Sequence, residues 1–249
     1  MLVTLLFIFF NPEGNGRGEA MSLYKEILPV MIIFLMFAIA FYAEPRVVTD
    51  ANGMLLNYPS LGNSSPNLSE KVVGIYLMPV LALVVYVALL LIPRIEVYHK
   101  NLEDFADQFW GFKVILVFAM GVIYVSLLLP NLGFFTRLDP ALIIVAAVSM
   151  IFFYVGYMLN FTKRNFFVGI STPWTLADEK VWEKTNKLGG KLFWICGALA
   201  LVSLVSPADG RLWWILLPVV LVAIGTFFYS LQEYKKTKAI HESRRKKKK

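Results

Sequence analysis

The sequence predicts an all-α polytopic membrane protein with six transmembrane helices and short interfacial helices on the cytoplasmic side. Three observations predict it. The 249 residues are 58% hydrophobic and only 16% charged, where a soluble domain carries about a quarter charged residues, and mean hydropathy is +0.64. Six apolar stretches approach or reach the roughly 20 residues that a helix needs to cross the hydrocarbon core. The net charge of +7, from 24 Lys and Arg against 17 Asp and Glu, is unevenly placed, which on an apolar chain points to a membrane surface before nucleic acid.

In chain order, Met1 to Phe10 is apolar but too short to span. No basic segment precedes it, and Asn11-Pro12-Glu13-Gly14-Asn15-Gly16 stands where a signal peptide would carry small residues for cleavage. Two readings stay open for residues 1–26: a leader preceding a natural start at Met21, or a peripheral segment. The spans are Ile27 to Ala43, Val72 to Pro93, Phe112 to Leu129, Ala141 to Asn160, Leu192 to Val205 and Leu212 to Leu231. The fifth is short, and Gly189, Gly190, Ser206 and Pro207 at its ends suit membrane depth. Residues 27–160 thus form a four-helix membrane region, 161–232 a loop with the last two helices, and 233–249 a polybasic cytoplasmic tail.

The outer loop from Glu44 to Lys71 is rich in Pro, Gly, Asn and Ser, residues that make turns. It reads as a connector or as a capture surface for an external ligand. Asn63-Ser64-Ser65 and Asn67-Leu68-Ser69 fit the glycosylation pattern. After the second span, Asn101 suits a helix cap, Glu103 and Asp104 suit the first turn, and Leu102, Phe105, Phe109 and Phe112 recur at helical spacing. An amphipathic helix leading into the third span along the surface is predicted. Glu103 and Asp107 lie one turn apart, without the further oxygens a cation site needs.

With Lys113, at the very start of the third span, counted with the inner loop, the spans hold no Asp, Glu, Lys, Arg or His, which disfavours an ion-coupled carrier. Ser126, Ser149, Ser203 and Thr226 are expected to hydrogen-bond within or between helices, and Pro79 and Pro218 to kink their helices. Trp110, Trp174, Trp182, Trp194, Trp213 and Trp214 lie near span ends, as anchors in the headgroup layer do. With the N-terminus inside, 20 of the 24 basic residues fall on the inner side and Arg46, Lys71, Arg137 and Arg211 outside. That bias predicts a cell-membrane protein with both termini cytoplasmic.

One cysteine, Cys196, and two distant histidines, His99 and His241, encode no disulfide and no metal pattern. No phosphate loop or nucleophile elbow appears, so no cofactor and no enzyme chemistry are expected. The tail residues Arg244, Arg245, Lys246, Lys247, Lys248 and Lys249 are expected to bind anionic lipid rather than nucleic acid.

The most distinctive stretch begins at Asn165 and reads Asn-Phe-Phe-Val-Gly-Ile-Ser-Thr-Pro-Trp-Thr-Leu through Leu176, then continues to Gly190. Thr172-Pro173 breaks the chain, and Thr175 is placed to cap a helix with Asp178 three residues on. Ala177, Val181, Trp182, Thr185 and Leu188 form the less polar face, Lys180, Lys184 and Lys187 the basic one. Gly189-Gly190 is expected to end that helix.

The residues Asn165, Phe167, Gly169, Ile170, Thr172, Pro173, Trp174 and Thr175, followed by Val181, Trp182, Lys184, Thr185, Gly189 and Gly190, resemble the signature of the SdpI family of membrane proteins. A second resemblance, from Met78-Pro79 through Ile92-Pro93-Arg94-Ile95-Glu96 to Asn101, is to the membrane domain that commonly precedes that signature. Ser171 stands where the family usually carries Arg, Asn186 where it usually carries His, and the outer loop lacks an H-W-N-like stretch. The resemblance implies a six-span membrane protein of the immunity or signal-transduction kind, with a peptide toxin as partner outside and a transcriptional repressor inside. The alternative is a transporter or permease for a small or lipidic solute. A surface enzyme using Asp178, Glu179 or Glu183 lacks a nucleophile and base.

Overall fold

The computed structural model describes residues 16–47, 68–97, 99–132, 134, 139–207 and 210–246. Among them the elements are α1 Gly16–Ala43, α2 Leu68–Ile95, α3 His99–Glu103, α4 Ala106–Leu128, α5 Pro140–Met158, α6 Pro173–Ala177, α7 Glu179–Val202 and α8 Arg211–Lys246, with 3-10 turns at Leu129–Leu132 and Ser203–Val205 and no strand. Six helices are long and apolar enough to cross a membrane, at Lys25–Ala43, Val72–Pro93, Ala106–Leu132, Pro140–Met158, Glu179–Val205 and Arg211–Ile240. The protein is a multi-pass membrane protein. Met1 to Phe10, the glycosylation patterns at Asn63 and Asn67, Arg137 and Lys247 to Lys249 lie outside the described residues.

Helix α4 is central. One side of it meets α1 and α2 through Met36, Ile75, Tyr86, Val117, Tyr124 and Leu128, and the other side meets α5. Helix α7 lies on α5 and α8 on α7. Outward faces stay apolar: Phe34 is 74% exposed and Phe41 77%, the surface that lipid covers. The close α5–α7 crossing depends on glycine, because a Cβ on Gly190 would sit 2.7 Å from the Gly156 carbonyl oxygen. Small residues let membrane helices approach to this distance.

Long-range hydrogen bonds define two faces. On one, called the loop face here, Lys25 pairs with Asp107, and residues 162–177 bond to α3 and α8. On the far face, Arg211 Nη1 donates to Asp139 at 2.8 Å and Tyr76 Oη to Glu44 at 2.8 Å. Asp139 also caps α5, accepting from the Ala141 amide at 2.9 Å, with Pro140 in the first turn. Ser126, Ser149 and Thr226 each donate to a carbonyl of their own helix, Ser203 of the 3-10 turn donates to the Ala200 carbonyl of α7, and Pro79 and Pro218 lie inside α2 and α8.

Four sequence expectations are corrected. Gly189-Gly190 does not end a helix: α7 runs through it to Val202, because the glycines face α5 and Ile170 rather than a turn. Thr175 does not cap the following helix; Thr172 caps α6 and Asp178 caps α7, since Pro173 starts a helix one turn earlier than expected. Asn101 lies within α3, not at its cap, and the chain breaks at Asp104-Phe105 before α4. Finally, charge does enter the spans. Lys113, 6% exposed, lies inside α4 and pairs with Glu26 of α1, which also accepts from Tyr86 Oη at 2.8 Å. Mutual neutralisation and the phenol satisfy a carboxylate and an ammonium that lipid would not accept singly.

Candidate functional site

The signature loop is a hydrogen-bonded unit built around buried amides. Asn165 is 0% exposed. Its Oδ1 accepts from the amides of Phe167 at 2.9 Å and Val168 at 2.6 Å, while its Nδ2 donates to the carbonyls of Lys163 at 2.7 Å and Val168 at 2.8 Å. One side chain thus satisfies four backbone groups that no helix supplies, which is why asparagine with its paired donor and acceptor stands there. Ser171 Oγ closes the loop onto the Asn165 carbonyl at 3.1 Å.

Helix α7 supplies the wall behind the loop. Trp182, 1% exposed, donates from Nε1 to the Thr162 carbonyl at 2.9 Å. Asn186 Oδ1 accepts from the Ile170 amide at 2.8 Å. Gly169 has φ 129, backbone that an L side chain rarely adopts, and a Cβ there would lie 2.8 Å from Asn186 Oδ1 and 2.9 Å from the Trp182 ring. Gly189 leaves room for the Ile170 side chain, whose Cδ1 lies 2.1 Å from where a Cβ would be. Val181 and Thr185 are fully buried on the same face.

Beyond the loop, Thr172 and Thr175 form a reciprocal capping box, which satisfies amides at the start of a helix. Thr172 Oγ1 also donates to Ser230 Oγ of α8 at 3.0 Å, and the Trp174 ring meets Phe227 of α8 edge-on at 4.9 Å between centroids. Lys184 of α7 pairs with the buried Glu233 of α8 at 2.7 Å, and Lys236 pairs with it from the next turn at 2.8 Å. From the other direction, Asn101 Nδ2 donates to the Arg164 carbonyl at 2.8 Å, and the buried Glu96 accepts from the Phe166 amide at 2.9 Å.

The structure therefore divides the signature residues. Asn165, Thr172, Thr175, Val181, Trp182, Thr185, Gly189 and Gly190 are buried; Gly169, Ile170 and Trp174 are half-buried; Phe167, Pro173 and Lys184 are exposed. Beside them Phe166 and Ser171 are exposed too. Trp182 is not a headgroup anchor, because its ring is enclosed between α7 and the loop. Trp213 and Trp214 keep exposed rings at the start of α8. Arg164 Nη1 donates to the Leu176 carbonyl at 3.3 Å.

Asn101, Glu96, Ser230 and Glu233 also bear on the loop, and the sequence alone does not mark them as site residues. Polar letters beside a span end were the available signal. In the tail, α8 carries Arg244, Arg245 and Lys246 in its last turns.

This geometry coincides with a family boundary. Residues 162–230 match the SdpI/YfhL protein family. That segment is similar to the SdpI family of membrane proteins. The chain is also 28% identical over 183 residues to the Immunity protein SdpI of Bacillus subtilis (strain 168), covering 74% of this chain and 84% of that one. No solved structure matches the chain. The SdpI-family segment starts at the Thr162 carbonyl that receives the Trp182 indole and ends at the Ser230 that receives Thr172. It is thus the loop together with the two helices bonded to it.

Proposed function

We propose that this protein is an immunity-type membrane protein, which confers resistance to or senses an envelope-active toxin or peptide and binds a cytoplasmic regulator through the loop face. The observation that carries this reading is the similarity to a protein named for immunity, which extends over 74% of this chain, well beyond the loop. In this reading the loop face is cytoplasmic. The support is the placement of 20 of 24 basic residues on the side that holds 161–191 and the tail.

The division of the signature into buried and exposed residues supports a specific working surface. The buried amides and threonines hold the loop, and Phe166, Phe167, Ser171, Pro173 and Lys184 are what it presents to a partner such as a transcriptional repressor. Where family members carry Arg, Ser171 presents a hydroxyl, so charge for an acidic partner comes from Lys180 and Lys184. The basic end of α8 binds anionic lipid and fixes orientation.

A survival assay tests the function. Expression in a host sensitive to membrane-active peptides raises survival against at least one of a panel, relative to empty vector; equal survival across the panel removes the resistance reading. Solute flux in liposomes without a survival phenotype would establish the permease alternative instead.

A further inference from the structure

Outside the loop, an open groove of about 450 Å³ runs along the lipid-facing side where α4, α5 and α7 meet, with Ile115, Met150, Phe153, Tyr157, Trp194 and Leu201 among its lining. Two polar groups in the middle of its wall are turned away from it: Ser149 Oγ donates to the Val145 carbonyl at 2.8 Å and Tyr154 Oη to the Gln108 carbonyl at 2.9 Å. Carbon is therefore what the wall offers, and a hydrocarbon chain is what it takes. Along α5 the lining runs from Ala146 to Tyr157, about 16 Å at 1.5 Å per residue. That is close to half of the ~30 Å hydrocarbon core, the depth of one leaflet.

The charge at one end of the groove selects the headgroup. Lys187, Lys191, Trp194 and Leu201 fall on one stripe of α7 at helical spacing, so two lysines continue the apolar stripe toward the loop face. Lys187 is held by Glu183 at 2.6 Å. Lys191 is exposed and has no ion pair or hydrogen bond among the described residues. Its depth follows from Gly190, which abuts Gly156 two residues before the end of α5. Lys191 thus stands at the loop-face edge of the core, within reach of headgroups. Tyr157, 42% exposed, lines the same end.

We propose that this groove binds one anionic phospholipid of the loop-face leaflet, with an acyl chain against Met150, Phe153 and Trp194, the phosphate on Lys191 and the Tyr157 hydroxyl beside it. The site is separate from the basic end of α8, and it places a lipid directly against the α5–α7 crossing that supports the signature loop.

Native mass spectrometry of the full-length protein in mild detergent, titrated with phosphatidylglycerol or with phosphatidylcholine of the same chains, tests it. One phosphatidylglycerol is retained in preference to phosphatidylcholine. Lys191→Gln lowers that retention about five-fold, the effect of one basic residue at a lipid surface, and leaves phosphatidylcholine unchanged. Lys238→Gln, an exposed lysine on α8, leaves the first bound lipid unchanged, and Ala146→Trp, which fills the groove, removes it. Equal retention of the two lipids, equal behaviour of Lys191→Gln and Lys238→Gln, or a dimer that Ala146→Trp disperses would each overturn the proposal. Should Ala146→Trp fail to insert, the comparison of the two lysine variants decides alone.

Discussion

Asn186 shows what a single side chain settles in this protein. It stands at the position that the sequence resemblance pairs with a His, and its Oδ1 accepts from the Ile170 amide while its Nδ2 donates to the Trp182 carbonyl at 3.1 Å. A neutral imidazole would offer the same acceptor through Nδ1, so the change preserves the bond and removes a titrating group. Asn186→His is therefore expected to fold at pH 8. Protonation would turn its acceptor into a second donor facing the Ile170 amide, so stability relative to wild type is expected to fall between pH 8 and pH 5, measured as a thermal midpoint in detergent. Residue identity in the loop was legible in the sequence, but residue role was not. Trp182 reads as an anchor because a tryptophan near a span end looks the same whichever way it faces. Only the approach of Thr162 and Gly169 from across the loop encloses it.

At the scale of elements, the six spans were legible because a run of about 20 apolar residues has few other homes. The helix boundaries around the loop were less so. Gly189-Gly190 has one spelling for two physical uses, a helix stop and a close helix crossing, and the partner that decides between them, Gly156, lies 34 positions away in sequence. The Glu26–Lys113 pair was hidden for the same reason. Each charge sits at a span edge and reads as a loop residue until α1, α2 and α4 bring Glu26, Tyr86 and Lys113 together. Removing one partner leaves the other uncompensated, so Glu26→Gln is expected to cost about 3–5 kcal/mol. The double change Glu26→Gln with Lys113→Met recovers most of that loss, because no buried charge remains. A double-mutant cycle on unfolding in detergent or bilayer measures it.

For the whole molecule, ties on both faces hold the outer helices to the bundle. On the far face, Arg211 first, and then the Ala141 amide, hold the Asp139 carboxyl below its ordinary value of 3.8. The folded state therefore favours the ionised form. This contribution is present above the ordinary value and is lost as pH falls through the depressed one. Arg211→Gln is expected to lower the thermal midpoint slightly at pH 7, as an exposed pair does, and the difference from wild type narrows once pH drops below that range. On the loop face, α8 is joined to the signature loop by Thr172–Ser230, Trp174–Phe227 and Lys184–Glu233. Composition made the membrane architecture legible, and charge placement supplied the proposed orientation. The joining of α8 to the loop was not legible, because it depends on which turn of a 36-residue helix faces inward.

Under the proposed function the loop face serves an immunity-type role rather than only closing the bundle. Survival of a peptide-sensitive host carrying wild type or Phe167→Ala, compared at equal membrane-inserted abundance, tests it most directly. Phe167 is exposed and its side chain holds none of the loop's hydrogen bonds. The variant is expected to insert normally and to lose protection. Protection equal to wild type in Phe167→Ala, Phe166→Ala and Pro173→Ala alike would contradict it.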